Sequence, residues 1–293
     1  MELPTMATAR ATPVAPSACL PPWVWPLALT GLLLAGCAST PPSPAAGPVP
    51  ELKPGVPAGY LGRDLPDSLA LLPAPPAAGT AAFANDQAVH QAAQQLKGTP
   101  RYALATRDAD LAYPVATANF ACALGVPITE QATPRLYLLL QRTLVDAGLA
   151  TYGAKNHYQR ERPFMVHDEH TCLAKDEDAL RKDGSYPSGH TAIGWTWAMV
   201  LTQVAPDRAN ALLARGRQFG ESRLVCNAHW QSDVLEGRAV ASGAFAKLQS
   251  NPDFLADLAA ARKEVAAQRS AGNMPTGCEA EAAALATPIP GVL

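Results

Sequence analysis

Three short segments combine cations, small residues and histidine in a chain that is otherwise poor in charge. The first runs over residues 155–163 and places Lys155 seven positions before Arg162. On a helix this spacing would put both cations on one face, where they could hold an anion together. A basic stretch is more often a solvated helix face, so the first segment alone indicates little.

The second segment, residues 184–191, reads Gly-Ser-Tyr-Pro-Ser-Gly-His-Thr. Ser188 suits the cap of a following helix, and Gly189 would let an anion approach the backbone amides at the helix start. A capped turn alone would explain both residues but not His190. A serine-hydrolase elbow fits poorly, because its Gly-x-Ser-x-Gly pattern requires glycine at the position of Tyr186.

The third segment, residues 222–233, carries Arg223 and the pair His229 and Asp233. Four residues apart on a helix, the carboxylate could reach the imidazole and fix its tautomer. A nucleophile oriented by a carboxylate follows the logic of an acyl-transfer triad. An isolated histidine and aspartate pair is more often a structural hydrogen bond, so the interpretation depends on all three segments together.

In order, the segments give Lys-x6-Arg-Pro, Pro-Ser-Gly-His and Ser-Arg-x5-His-x3-Asp, which resembles the type-2 phosphatidic acid phosphatase superfamily. Within it, the tract 184–191 and the expected export are most similar to the class A non-specific acid phosphatases of bacteria. The motifs span residues 155–233, and helical character extends the resemblance over about 80–269. The phosphate-binding residues that this resemblance implies are Lys155, Arg162, Ser188, Gly189 and Arg223.

The resemblance also implies the catalytic roles. His229 would attack phosphorus, Asp233 would hold His229, and His190 would protonate the departing alcohol. Phosphoryl transfer needs mainly positioning and charge neutralisation, which three cations and backbone donors can supply without Mg²⁺. The expected function is metal-independent hydrolysis of phosphate monoesters through a phosphohistidine, with no cofactor. The expected substrates are small molecules: nucleotides, sugar phosphates and aryl phosphates.

Several other functions fit parts of the pattern. Vanadium haloperoxidases share this site architecture and would use bound vanadate, although those enzymes are usually much longer. A lipid or pyrophosphate phosphatase of the same superfamily is a further alternative, but the later sequence has no long apolar run for a membrane enzyme. A phosphate-binding protein without activity would need neither His190 nor the pair at His229. Two histidines, His167 and His170, could suggest a metal site, but we favour a loop tied down by Cys172.

The elements that must position these residues are helical. From Thr80 onward alanine and leucine dominate, and apolar residues recur every three to four positions, as in Leu136–Leu144 and Ile193–Val204. Further helices are predicted over about 81–97, 106–123, 206–221, 230–249 and 252–269. Alternating strand patterns are absent from the sequence. We therefore predict an all-α fold, with residues 80–293 forming one helical-bundle domain.

The chain before this domain has a different composition. Residues 1–37 have the layout of a signal peptide, with an apolar run too short to span a membrane. The run ends in Leu-Ala-Gly-Cys, similar to a lipoprotein cleavage box, so lipidation of Cys37 is predicted, with ordinary cleavage near Ala38 as the alternative. Residues 38–79 are a proline-rich linker, of which 60–72 should lie against the domain. The protein is expected in the periplasm, with a lipid as its only membrane attachment.

Composition indicates which partners the protein can bind and whether its cysteines are oxidised. The net charge of −2 and the 16 % of charged residues leave no basic surface for nucleic acid. The 48 % of hydrophobic residues supports a sizeable core. Export implies an oxidising compartment, where Cys122, Cys172, Cys226 and Cys278 would form disulfides, and their spacing does not suit a zinc site. Three pairings are open, of which Cys122–Cys172 with Cys226–Cys278 is our prediction.

Overall fold

The computed structural model describes residues 49–292, and within them helices dominate. The order of the first elements is β1 (Glu51–Lys53), β2 (Val56–Pro57), α1 (Ser68–Leu71), α2 (Ala81–Gln94), α3 (Pro100–Ala109), α4 (Val115–Ala118), α5 (Ala121–Leu124), α6 (Pro134–Leu149) and α7 (Tyr152–Tyr158). The remaining helices are α8 (Pro163–Val166), α9 (Glu177–Leu180), α10 (Gly189–Val204), α11 (Ala209–Val225), α12 (Gln231–Leu248), α13 (Pro252–Ser270) and α14 (Cys278–Leu285).

The all-α prediction is confirmed, with one small antiparallel pair, β1 and β2, as the strand structure of the described chain. The predicted signal peptide, Cys37 and the linker as far as residue 48 lie outside the described residues. From 49 to 292, no helix combines the length and the apolar character needed to cross a membrane.

Helix starts follow the capping residues of the sequence. Thr80, Thr99 and Asn251 each accept a hydrogen bond from a backbone amide three residues later. Ser188 does the same for the amide of Thr191, at 3.3 Å, so the predicted cap of α10 is confirmed. These bonds satisfy donors that a helix start leaves without partners.

Two predicted helices have different bounds. The helix expected over 106–123 is divided into α3, α4 and α5, because Pro114 cannot continue a helix that precedes it. The helix expected from Pro206 begins at Ala209 instead, after a short 3₁₀ turn over Pro206–Arg208. Both differences occur at prolines, where the chain changes direction before a helix begins.

Helix α10 lies at the centre of the domain, in contact with α6, α11 and α12. Trp197 of α10 is fully buried, and its indole N–H donates to the Leu140 carbonyl of α6 at 2.9 Å. Helix α12 also approaches α10 closely, since a side chain at Gly237 would lie 2.6 Å from the Ser188 carbonyl oxygen. This close contact places the start of α12 against the start of α10, where the second and third motifs meet.

Part of the predicted linker is built into the domain surface and core. Tyr60 and Leu61 are buried, and their amides donate to the Asp146 carboxylate at 2.8 and 3.0 Å. The guanidinium of Arg142 stacks on the Tyr60 ring, and the Tyr60 hydroxyl donates to Asp257 at 2.7 Å. Residues 60–72 therefore lie against the helices as expected, whereas the boundaries at 37 and 79 stay predictions.

Disulfides join the four expected cysteines, but the predicted pairing is wrong. The bonds are Cys122–Cys278, with a Cα–Cα distance of 5.4 Å, and Cys172–Cys226, at 4.7 Å. Cys122 lies in α5 beside the start of α14, and the amide of Cys172 donates to the carbonyl of Cys226. Tertiary neighbours thus decide the pairing, which joins the first of the four cysteines to the last and the two middle ones to each other.

Candidate active site

The first motif is divided between two short helices. Lys155 belongs to α7, which ends at Tyr158, and Gln159 turns the chain with a left-handed φ of 43°. Arg162 then caps the start of α8. The prediction that both cations share one helical face is therefore wrong. They meet instead through Asp183, whose Oδ2 accepts from Lys155 Nζ and Arg162 Nη2 at 3.0 Å each.

The second motif crosses the first at Gly184. A side chain there would lie 2.6 Å from the Lys155 carbonyl oxygen, so only glycine allows this approach. Ser188 Oγ accepts both bonds that Thr191 makes to it, from the amide and from the hydroxyl at 2.9 Å. The hydroxyl proton of Ser188 is therefore left for another acceptor. The amide of Gly189 follows in the first turn of α10, as a phosphate cradle requires.

The third motif is a turn between two helices. Helix α11 ends at Val225, and Asn227 has a left-handed φ of 60°, which asparagine tolerates. His229 precedes α12, so the prediction that it shares a helix with Asp233 is wrong. The two side chains meet because Asp233 folds back on the helix start: its Oδ2 accepts from the Trp230 amide at 2.8 Å and lies 3.3 Å from His229 Nδ1.

These segments enclose a cavity of about 190 Å³. Five of the predicted site residues line it: Lys155, Arg162, Gly189, His190 and His229. The other three, Ser188, Arg223 and Asp233, are buried and are not among the lining residues. The rest of the lining is mostly apolar or aromatic and is formed by Leu111, Gly148, Thr151, Tyr152, Leu180, Asp183 and Ile193.

The tautomer of His229 follows from its partners. Arg162 Nη1 lies 2.9 Å from His229 Nε2, and a guanidinium can only donate, so Nε2 accepts. The ring proton is therefore on Nδ1, which faces Asp233. Burial, together with Arg162, Lys155 and Arg223, lowers the pKa of His229 well below its usual value. His229 is thus a neutral imidazole whose lone pair, at Nε2, faces Arg162 at the wall of the cavity.

In His190 the other ring nitrogen, Nε2, carries the proton. Its Nε2 lies 3.0 Å from the Ala109 carbonyl oxygen, which can only accept, so Nε2 carries hydrogen. Burial and the nearby Arg223, His229 and Arg162 lower the pKa of His190 well below its usual value. The free site therefore favours neutral His190, and a bound phosphate that neutralised these cations would raise the pKa again.

The cations of the site are incompletely neutralised. Burial and the neighbouring Arg162 lower the pKa of Lys155 to about 8, although Asp183 opposes this shift. Burial and Arg162 likewise lower the pKa of Arg223 to about 9. The Nε of Arg223 has no hydrogen-bond partner among residues 49–292. A buried guanidinium without an acceptor is unfavourable by itself and becomes favourable when an anion binds beside it.

Sequence reasoning missed three residues that touch the predicted ones. Asp183 joins Lys155 to Arg162, and Ser185 Oγ donates to Asp233 at 2.5 Å. Arg160 Nη1 donates to the other oxygen of Asp233 at 2.6 Å. All three lie in or beside the motif segments, but spacing along the chain does not show which of several polar side chains turn inward.

The two histidines of residues 167–170 form no metal centre. His167 stacks on His90 at 4.3 Å between ring centres, whereas His170 Nδ1 lies 3.1 Å from Glu177. Across the described chain, no group of three or more metal-binding side chains comes together. The disulfide at Cys172 holds this loop, in agreement with the favoured interpretation.

The site is a histidine held by a carboxylate beside a cluster of cations, and the domain that carries it is α-helical. The chain belongs to the PAP2 superfamily, to which residues 136–249 match.

Individual acid phosphatases of bacteria are similar to this chain over most of their length. The chain is 49 % identical over 201 residues to the non-specific acid phosphatase of Providencia stuartii, covering 68 % of this chain and 81 % of that protein. It is 44 % identical to the non-specific acid phosphatase of Salmonella typhi, covering 66 % and 78 %. It is 43 % identical to the acid phosphatase of Zymomonas mobilis, covering 71 % and 79 %. Within the superfamily, the chain therefore falls among the bacterial non-specific acid phosphatases.

Proposed function

We propose that this protein hydrolyses phosphate monoesters of broad structure through a phosphohistidine at His229, without a metal ion. The observation that carries this proposal is the neutral imidazole of His229, whose Nε2 lone pair lies 2.9 Å from Arg162 at the wall of a cationic cavity. The names of the similar proteins, acid phosphatase and non-specific acid phosphatase, support the same activity.

The reaction has two steps. In the first, His229 Nε2 forms a bond to phosphorus while the ester P–O bond breaks, and His190 gives a proton to the departing oxygen. In the second, water attacks phosphorus, the P–N bond breaks, and the proton of water passes to His190. Asp233 holds the Nδ1 proton and stabilises the positive charge of the phosphorylated ring. Lys155, Arg162 and Arg223 neutralise the charge on the equatorial oxygens, and Ser188 and the Gly189 amide donate hydrogen bonds to them.

Protonation of His190 is coupled to substrate binding. In the free site Arg223 and Arg162 disfavour its charge, and a phosphate bound to those cations removes that repulsion. The substrate therefore creates the general acid that its own leaving group needs. The pH dependence of kcat reports the substrate-bound enzyme, and that of kcat/KM reports the free enzyme. The basic limb of the kcat profile should therefore lie at higher pH than the basic limb of the kcat/KM profile.

The central test is a trapped phosphoenzyme. Wild type mixed with p-nitrophenyl phosphate and quenched should carry acid-labile, base-stable phosphate, and turnover should persist in excess EDTA. His229→Ala should show neither phosphoenzyme nor turnover, whereas the control His170→Ala, at an exposed histidine, should retain both. Phosphate that maps to Ser188, or activity restored only by added Zn²⁺ or Mg²⁺, would refute the mechanism.

The role of His190 has its own test. General acid catalysis is typically worth about 10²- to 10⁴-fold in rate, and it matters less for a leaving group that is already acidic. His190→Ala should therefore slow the hydrolysis of alkyl phosphates far more than that of p-nitrophenyl phosphate. Equal losses on both substrates would assign His190 to phosphate binding instead.

The finer location is also part of the proposal. We place the enzyme in the periplasm after export, because its two disulfides need an oxidising compartment to form. Mass spectrometry of the mature N-terminus tests the predicted processing: a lipidated Cys37 supports an outer-membrane anchor, and an unmodified start near Ala38 removes it.

A further inference from the structure

The three motif segments meet at Arg160. Its backbone carbonyl accepts from the Ser185 amide at 2.8 Å, which joins the first motif to the second. Its Nη1 donates to Asp233 Oδ1 at 2.6 Å, which joins both to the third. The guanidinium also lies 5.5 Å from the centre of the Trp230 ring. Arg160 is absent from the lining of the cavity, so it contacts the catalytic carboxylate from behind.

A second carboxylate holds the other side of this guanidinium. Asp86 lies in α2, outside the residues 136–249 that match the superfamily, and it is 1 % exposed. Its Oδ2 accepts from Arg160 Nη2 at 2.8 Å and from the Ser232 hydroxyl at 2.6 Å. Its Oδ1 accepts from the Ser232 amide at 2.8 Å. With one charged and two neutral donors, Asp86 is fixed, and it fixes Arg160 in turn.

The two oxygens of Asp233 therefore have different surroundings. Oδ2 faces the His229 ring, the Ser185 hydroxyl and the Trp230 amide, whereas Oδ1 faces Arg160. An arginine that bridges two carboxylates allows little rotation, because any turn of Asp233 breaks a short charged bond. Oδ2 is thereby kept towards Nδ1 of His229, and the lone pair of Nε2 towards the cavity.

We propose that Asp86 and Arg160 form a positioning pair, which acts through Asp233 to orient His229 and to keep its imidazole neutral. This inference rests on the proposed function, since it assigns a purpose to the pair only if His229 is the nucleophile. It extends the functional unit to α2, about 70 residues before the first motif.

The positive charge of Arg160 also affects the protonation of His229. The charged or titratable groups that face His229 are Lys155, Arg162, Arg223, His190 and Asp233. Among these only Asp233 favours the imidazolium, and Arg160 partly neutralises Asp233 from behind. Without Arg160, Asp233 would attract the second ring proton more strongly, and protonated His229 cannot attack phosphorus.

The test compares Arg160→Gln and Asp86→Asn with wild type on p-nitrophenyl phosphate. We expect kcat to fall about 10- to 100-fold in Arg160→Gln, as for a misplaced catalytic group. KM should change little, because Arg160 does not line the cavity. The acid limb of kcat/KM should move to higher pH. Asp86→Asn should show a smaller loss of kcat, and the double variant should be no worse than Arg160→Gln alone.

Conservative and matched variants separate positioning from folding. Arg160→Lys restores the charge, and with it the acid limb, but a lysine cannot span both carboxylates and should recover only part of kcat. The controls are Arg142→Gln and Asp146→Asn, which also remove a buried arginine and a buried carboxylate with two amide donors, away from the site. They should lower the melting temperature and leave the pH profile unchanged.

The outcomes of this experiment distinguish the two proposals. If wild type forms no phosphoenzyme, the proposed function fails. If wild type forms it, yet Arg160→Gln and Asp86→Asn keep the wild-type kcat and acid limb, the inference alone is overturned. Variants that merely melt earlier, as the controls do, with an unshifted pH profile in their folded fraction, would reduce the pair to a structural contact.

Discussion

Helix α11 carries two buried arginines, and they differ in what surrounds them. Arg215 and Arg223 are each 2 % exposed and stand eight positions apart. Arg215 donates to both oxygens of Asp108, to Glu281 at 3.2 Å and to the Asn119 carbonyl at 3.0 Å. Arg223 has one weak contact, to the sulfur of Cys226 at 3.8 Å, and its Nε has none within the described chain.

The pKa values follow this difference. Burial lowers the pKa of Arg215, but Asp108 and Glu281 more than compensate, and the net direction is upward. Burial and Arg162 lower the pKa of Arg223 to about 9. One helix thus carries an arginine whose counter-ions belong to the protein and another that lacks them. We infer that the counter-ion of Arg223 is the substrate phosphate.

Exchanging each arginine for glutamine gives the largest expected contrast. Arg223→Gln should lower kcat/KM about 10²- to 10³-fold, as loss of a transition-state donor does, with an unchanged or raised melting temperature. Arg215→Gln should instead lower the free energy of unfolding by about 3–5 kcal/mol, because Asp108 is left buried without its cation. The folded fraction of this variant should keep its rate.

Initial rates and urea unfolding of both variants measure this contrast. An Arg223→Gln protein that unfolds earlier yet hydrolyses phosphate esters normally would assign Arg223 to the core, as Arg215 is. Both arginines would then stabilise the fold, and neither would act on the substrate.

Anion binding should also distinguish Arg223 from Arg215. An anion that supplies the counter-ion of Arg223 should stabilise the fold, by about 2.7 kcal/mol at a concentration one hundred times its Kd. Inorganic phosphate should therefore raise the melting temperature of wild type and of Arg215→Gln. In Arg223→Gln the shift should be much smaller. An equal shift in all three proteins would place the bound anion elsewhere.

The pH dependence of anion binding is the next effect. Lys155 and Arg223 have pKa values lowered to about 8 and about 9, and each attracts an anion only while protonated. Affinity should be full well below pH 8 and fall as pH rises through the pKa of Lys155 and then that of Arg223, by up to about tenfold per pH unit for each proton lost. Sulfate, which does not titrate in this range, is the suitable probe. Binding of sulfate that stays constant to pH 10 would contradict both lowered pKa values.

Asp183 should produce the smallest effect. Its carboxylate occupies Lys155 and Arg162 in the free site and is 28 % exposed. Asp183→Asn should tighten phosphate binding about two- to fivefold at pH 6, which corresponds to the energy of a partly exposed ion pair. The low pH matters because loss of Asp183 also lowers the pKa of Lys155. Weaker binding, measured by calorimetry, would show that Asp183 mainly holds the two cations in place.

Five of the eight residues that the motifs predicted line one cavity, but motif spacing did not show how the backbone brings them together. Lys155 and Arg162 were expected on one helix, and so were His229 and Asp233. In both cases a turn with a left-handed residue, Gln159 or Asn227, intervenes. Spacing records only distance along the chain, whereas a turn can bring the same pair together by another path. The all-α fold was predictable because apolar periodicity is a local property.

Residues outside the motifs were not predictable in the same way. The partners of Asp233 include Arg160, which in sequence is one charge in a basic stretch, and Asp86 has no motif around it. The Cys122–Cys278 disulfide depends on how α5 meets α14, a contact across 156 residues. The Asp146 carboxylate accepts from the backbone amides of Tyr60 and Leu61, and no side-chain pattern in the sequence indicates such a contact. Such contacts are set by tertiary packing, and a single sequence contains no direct trace of them.

The contact between Arg162 and His229 also bears on selectivity. In the structure the guanidinium covers the Nε2 lone pair, so the nucleophile that we propose is capped until an anion binds. Only a group that competes for that guanidinium can uncover it, and a dianionic phosphate does so far better than a neutral ester carbonyl. Carboxylic esters that enter the cavity would thus meet a blocked imidazole. An enzyme tolerant of many alcohols can in this way stay strict about the acid half of its substrates.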